Sequence, residues 1–62
     1  MLFQVYCHED SKCSLKVVGQ EKVQHFNNVM EAVEAARELS DTGDSPLTVY
    51  STSGTVIFEL LV

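Results

Sequence analysis

The chain has no tryptophan, one proline, three glycines and two cysteines, and only four of its 62 residues are lysine or arginine. Each scarcity excludes something. So little proline and glycine leaves no room for a collagen repeat or a low-complexity linker. Five aromatic residues (three Phe and two Tyr) mean that any core is mainly aliphatic. Two cysteines do not make the disulfide framework that staples small secreted domains.

The four cations Lys12, Lys16, Lys22 and Arg37 are scattered and face nine Asp and Glu, for a net charge of -5. Nucleic acids and anionic membranes are bound by clustered Lys and Arg, so neither is an expected partner. The apolar stretches near Val17-Val18 and Val56 to Val62 fall far short of the roughly 20 residues that cross a bilayer. The start, Met1-Leu2-Phe3-Gln4-Val5-Tyr6-Cys7-His8-Glu9-Asp10, has neither the basic segment nor the apolar run of a signal peptide. The expected setting is the cytoplasm, with Cys7 and Cys13 as thiols.

What remains is a balance of 45% hydrophobic and 21% charged residues, ordinary for a globular chain. Residues 1–62 read as one domain. A chain of this size buries only about 60% of the surface that its unfolded form exposes. Self-association is a natural way to bury more.

Residues Phe3 to Cys7 alternate, with Phe3, Val5 and Cys7 on one side and Gln4 and Tyr6 on the other. Cys13 to Val17 alternate in the same way, with Cys13, Leu15 and Val17 on one side. This period of two predicts a pair of half-buried strands. The polar connection His8 to Lys12 is of hairpin length, and pairing Cys7 with Cys13 sets Val5 opposite Leu15 and Phe3 opposite Val17. Gly19 to Lys22 reads as a turn and Val23 to Phe26 as a short third strand.

Asn28, followed three residues later by Glu31, is close to a capping box. From there Val29, Ala32, Val33, Ala36 and Leu39 recur at the spacing of one helix face, with Glu31, Glu34 and Glu38 opposite. Gly43 supplies the expected stop, and Pro46 keeps the helix from resuming. Leu47 to Ser51 and Val56 to Leu61 alternate around an expected Ser53-Gly54 turn, which sets Val49 opposite Phe58 and Leu47 opposite Leu60. The expected fold is α+β in two layers, a mostly antiparallel sheet in the order β-β-(short β)-α-β-β with one helix on one face.

A single helix leaves the other sheet face open. That face collects Tyr6, Val18, Tyr50, Ile57 and Leu61, more apolar than exposure requires, and these form the candidate interface. The soft metal ligands are Cys7, Cys13, His8 and His25. Zinc favours closely spaced Cys and His pairs on tight turns, and a five-residue gap between the cysteines matches this poorly. The expectation is core thiols and a surface histidine, with no metal and no cofactor. The helix carboxylates Glu31, Glu34 and Glu38 read as a solvated face. There is no Gly-x-Ser-x-Gly elbow and no glycine-rich phosphate loop, so no catalytic residue is assigned and no enzyme is expected.

The segments Leu15-Lys16-Val17, Glu31-Ala32-Val33-Glu34-Ala35-Ala36-Arg37-Glu38-Leu39, Leu47-x-Val49-Tyr50 and Ser53-Gly54-Thr55-Val56 together resemble a family of small uncharacterised bacterial domains. Its members look like a strand pair, an alanine-rich helix, then a strand and a glycine turn. The resemblance implies this fold over most of the chain and brings no activity or site residue with it. The sequence alone supports a small non-enzymatic interaction module that self-associates as a dimer or binds another protein. The alternative is a thiol or metal site built from Cys7, Cys13 and a histidine.

Overall fold

A computed structural model describes all 62 residues and contains five strands and one helix. The strands are β1 (Phe3–Cys7), β2 (Cys13–Val17), β3 (Val23–Phe26), β4 (Pro46–Tyr50) and β5 (Val56–Leu61), and α1 spans Val29–Ser40. They form one sheet in the order β3-β2-β1-β4-β5. Three of its four pairings are antiparallel, and β1 and β4 run parallel with Phe3 beside Leu47 and Tyr6 beside Tyr50. The α+β architecture of one helix on one sheet is the fold.

The first hairpin has the register that the alternation predicts, from Phe3 opposite Val17 to Cys7 opposite Cys13. The inward side chains are buried. Phe3, Val5, Cys13, Leu15, Leu47 and Val49 meet Ala32, Val33 and Ala36 of the helix in the core. Full burial of a side chain such as Leu15 or Val49 contributes about 1.5–3 kcal/mol.

The helix begins as its sequence specifies. The side chain of Asn28 accepts a hydrogen bond from the backbone N–H of Glu31 (2.9 Å), and Glu31 accepts one from the N–H of Asn27 (3.4 Å). Its end differs from expectation. The stop is Asp41, in the left-handed conformation (φ 61°) with its N–H donating to the carbonyl of Arg37, two residues before Gly43. The buried face also differs at this end, because Leu39 is exposed and Ser40 is buried in its place. Ser40 Oγ bonds to Ser45 Oγ (2.9 Å) and to the carbonyl of Val62, so the last turn of the helix rests on polar contacts. Val62 and Ser45 also exchange both backbone hydrogen bonds.

The second hairpin keeps Val49 opposite Phe58 and Leu47 opposite Leu60, but its turn is longer than the expected Ser53-Gly54 pair. Ser51 N–H donates to the carbonyl of Thr55 (2.8 Å), which closes a three-residue loop of Thr52, Ser53 and Gly54. The Ser51 hydroxyl accepts from the N–H groups of Ser53 and Thr55. The extra loop residue shifts the register by one, so Tyr50 faces Val56, and an irregularity at Ile57 restores the pairing at Val49 and Phe58.

The helix packs mainly against β1, β2 and β3, shares the core with Leu47 and Val49 of β4, and leaves β5 at its margin. Dimensions explain this. A helix is about 10 Å across with its side chains, whereas five strands spaced about 4.8 Å apart span roughly 19 Å. One helix cannot cover five strands. Because β3 and β4 are parallel and joined by α1, the crossover lays the helix over the N-terminal half of the sheet.

Candidate functional site

Strand β5 is where the sheet is least protected. It lies at an edge, and of its six residues only Leu60 is even half-buried. Ile57 and Leu61 are 55% and 60% exposed, and Phe58, on the helix side of the sheet, is 41% exposed because the helix does not reach it. Val56 is exposed as well. Glu59 is the only charge on the strand.

The free edge of β5 has a definite hydrogen-bonding pattern. Ser45 and Val62 exchange both backbone bonds (2.9 and 3.1 Å). Alternation along an antiparallel ladder then turns the N–H and C=O of Leu60 and Phe58 toward β4, and those of Glu59 and Leu61 outward. A row of unpaired backbone groups flanked by apolar side chains is a template for another strand.

The candidate interface residues divide into three groups. Ile57 and Leu61 stand on β5. Tyr6 and Tyr50, paired across β1 and β4, stack on each other with ring centroids 5.0 Å apart and planes at 11°. They are half-buried, and the Tyr6 hydroxyl donates to Gln4 Oε1 (2.8 Å). Val18 lies just beyond β2, its N–H bonded to the carbonyl of Leu2, and is separated from β5 by β1 and β4. Phe58, which the alternation sets opposite Val49 on the helix side, and Val56 are exposed as well and belong to the same uncovered strand. The sequence signal for this exposure is the width of one helix against five strands.

The four soft ligands fall into two pairs on opposite faces. Cys7 and Cys13 meet on the helix side, Sγ to Sγ 2.8 Å, where Cys13 is in the core and Cys7 packs against it. Burial, then the hydrogen bond and charge of Cys7, then the charge of Asp10, push the Cys13 thiol up to about 12. His8 and His25 converge on the other face, with Nε2 of His8 2.8 Å and Nδ1 of His25 3.0 Å from the hydroxyl of Ser14. Alternation along the strands separates the pairs, because His8 follows Cys7 and Ser14 follows Cys13.

The Ser14 hydroxyl has one proton, so when it donates to one imidazole it accepts from the other. The side chain is buried beneath the two rings. Neither surface cavity reaches it. One, of about 210 Å³, is lined by Met1, Leu15, Val17, Gln20, Lys22, Gln24 and Leu39. The other is a shallow groove along Phe26, Asn28, Met30, Glu31, Glu34, Ala35 and Glu38. The helix carboxylates along it are exposed, and Glu34 is engaged with Arg37 at 3.3 Å. No helix is long and apolar enough to cross a membrane.

Comparison of the chain with protein-family models, with curated proteins and with solved structures finds no match.

Proposed function

We propose that the protein is a non-enzymatic interaction module of the cytoplasm that works by self-association, β5 of one copy pairing antiparallel with β5 of a second. The observation that carries this reading is an edge strand exposed on both faces, with four large apolar side chains and a single charge. Edge strands that stay unpaired are usually blunted by lysines, proline, a covering loop or short length. β5 has no lysine and no proline, and at six residues it is the longest strand of the sheet.

A second copy suits this edge because antiparallel pairing about a two-fold axis is self-complementary. The outward backbone groups of Glu59 and Leu61 set the allowed registers to those centred on one residue. A centre at Phe58 brings the two Phe58 rings together and places Val56 beside Leu60 of the other copy. A centre at Glu59 would oppose two like charges, which is unfavourable across a strand pair. The result is a continuous ten-stranded sheet, with Ile57 and Leu61 adding to its open face beside the Tyr6–Tyr50 stack.

The test is the solution mass by light scattering after gel filtration, in reductant and chelator. The expected mass is that of two chains. Glu59→Pro removes an N–H that points away from β4, so the variant keeps its ladder and its circular dichroism but elutes as one chain. Ile57→Glu with Leu61→Glu should do the same by charge. A wild-type mass of one chain at every concentration, or a Glu59→Pro variant that still pairs, overturns the proposal.

A further inference from the structure

We infer that Cys7 and Cys13 form a reversible dithiol–disulfide site, in which Cys7 attacks small-molecule disulfides and Cys13 closes the bridge. The backbone supplies the first argument. His8 N–H donates to the carbonyl of Lys12 (2.8 Å) and Val18 N–H to that of Leu2 (2.9 Å), so both flanking positions of the ladder are hydrogen-bonded. Counting inward, Cys7 and Cys13 occupy a non-hydrogen-bonded pair. Opposed Cα atoms in such a pair approach to about 4.5 Å, at the short end of the span that a disulfide bridges. The sulfurs already lie 2.8 Å apart on the same face. Bridging needs no rearrangement of the hairpin.

Unequal burial assigns the roles. Cys13 is 2% exposed, and Cys7, at the end of β1 beside the turn, is half-buried. An incoming disulfide RSSR, of the glutathione type, reaches Cys7 first. The Cys7 thiolate attacks one sulfur, forming a Cys7–SR mixed disulfide and releasing RS⁻, which takes up the proton that Cys7 gave to solvent. Cys13 then loses its proton to water, attacks the Cys7 sulfur and expels a second RS⁻. Two protein thiols are oxidised and one RSSR is reduced to two RSH. Once Cys7 is held in the neutral mixed disulfide, its contribution to the raised proton affinity of Cys13 is gone, leaving burial and Asp10. The second step is intramolecular between atoms already in contact, where effective concentrations are largest. A bridge at the short end of the allowed span opens again in excess thiol, the behaviour of regulatory disulfides in a reducing compartment.

The site is independent of the edge pairing, because it closes within one chain and is read on the denatured polypeptide. The experiment incubates the intact protein with oxidised glutathione, quenches in acid, alkylates in denaturant and weighs the chain. Expected for the wild type is a single chain two hydrogens lighter that takes no alkyl group, with both thiols recovered after dithiothreitol. Cys13→Ser should retain one glutathione on Cys7, and Cys7→Ser should stay unmodified while folded. A stable glutathione adduct on the wild type, chains linked to one another, or two thiols still free overturns the inference. If Cys13→Ser does not fold, the wild-type time course decides the order. A transient adduct mapped to Cys7 supports it, and one mapped to Cys13 overturns it.

Discussion

At the scale of single residues, Cys13 shows how a buried polar group ties stability to solution conditions. Its thiol ordinarily loses its proton near pH 9.0, and the fold, through burial first and then Cys7 and Asp10, raises that to about 12. The folded state therefore holds the proton more tightly than the unfolded chain does. Its stabilising effect is complete below pH 9, and it is lost progressively as the pH rises toward 12. The slope of one released proton is at most about 1.4 kcal/mol per pH unit. Urea midpoints of the reduced wild type should fall across this window, and those of Cys13→Ala should fall less. Parallel curves would assign the loss to other groups. Ser14 is a contrasting case, a hydroxyl as buried as a core side chain yet fully satisfied by two imidazoles. A period-two pattern reads Ser14 as an outward, solvated position. It does not show that His8 and His25, on either side of it, will close over the hydroxyl.

At the scale of elements, most of the fold was legible because each hairpin carries its register in its own alternation. Phe3, Val5 and Cys7 can face Val17, Leu15 and Cys13 in only one way that keeps every apolar group inside. The Asn28–Glu31 cap likewise marks the start of the helix. Two features of the sheet were not legible. The parallel β1–β4 pairing joins segments whose alternation is equally compatible with other neighbours. The loop after Ser51 depends on a serine hydroxyl bonding to two backbone N–H groups, which a search for two-residue turns overlooks. The candidate site was half legible, since alternation finds Ile57 and Leu61 on the open face but cannot tell that Phe58, on the other, lies beyond the reach of the helix. The longer loop places a specific demand on Gly54, which has φ +86° and open space where a Cβ would sit. Gly54→Ala should therefore cost about 1–2 kcal/mol from backbone strain alone. A denaturant midpoint indistinguishable from wild type would mean that the loop does not need the left-handed conformation.

At the scale of the whole molecule, a small core and a large uncovered strand are two sides of one economy of material. Thirteen buried residues hold the monomer together, and the edge of β5 offers apolar surface that folding alone does not remove from water. Association that favours the folded state makes thermal stability depend on concentration. The melting temperature of the wild type should rise as protein concentration rises, and that of Glu59→Pro should not. A wild-type melting temperature independent of concentration would separate edge pairing from stability. The parallel β1–β4 contact has a further consequence, for the route by which the chain folds. Both hairpins close between near neighbours in sequence, whereas Phe3 meets Leu47 only after the third strand and the whole helix have been laid down between them. Joining ends that far apart carries a loop-closure cost that the hairpins do not. Closing this seam is therefore the expected slow step of folding, and Val5→Ala or Val49→Ala should slow refolding in stopped-flow measurements, whereas unchanged refolding rates would place the slow step elsewhere.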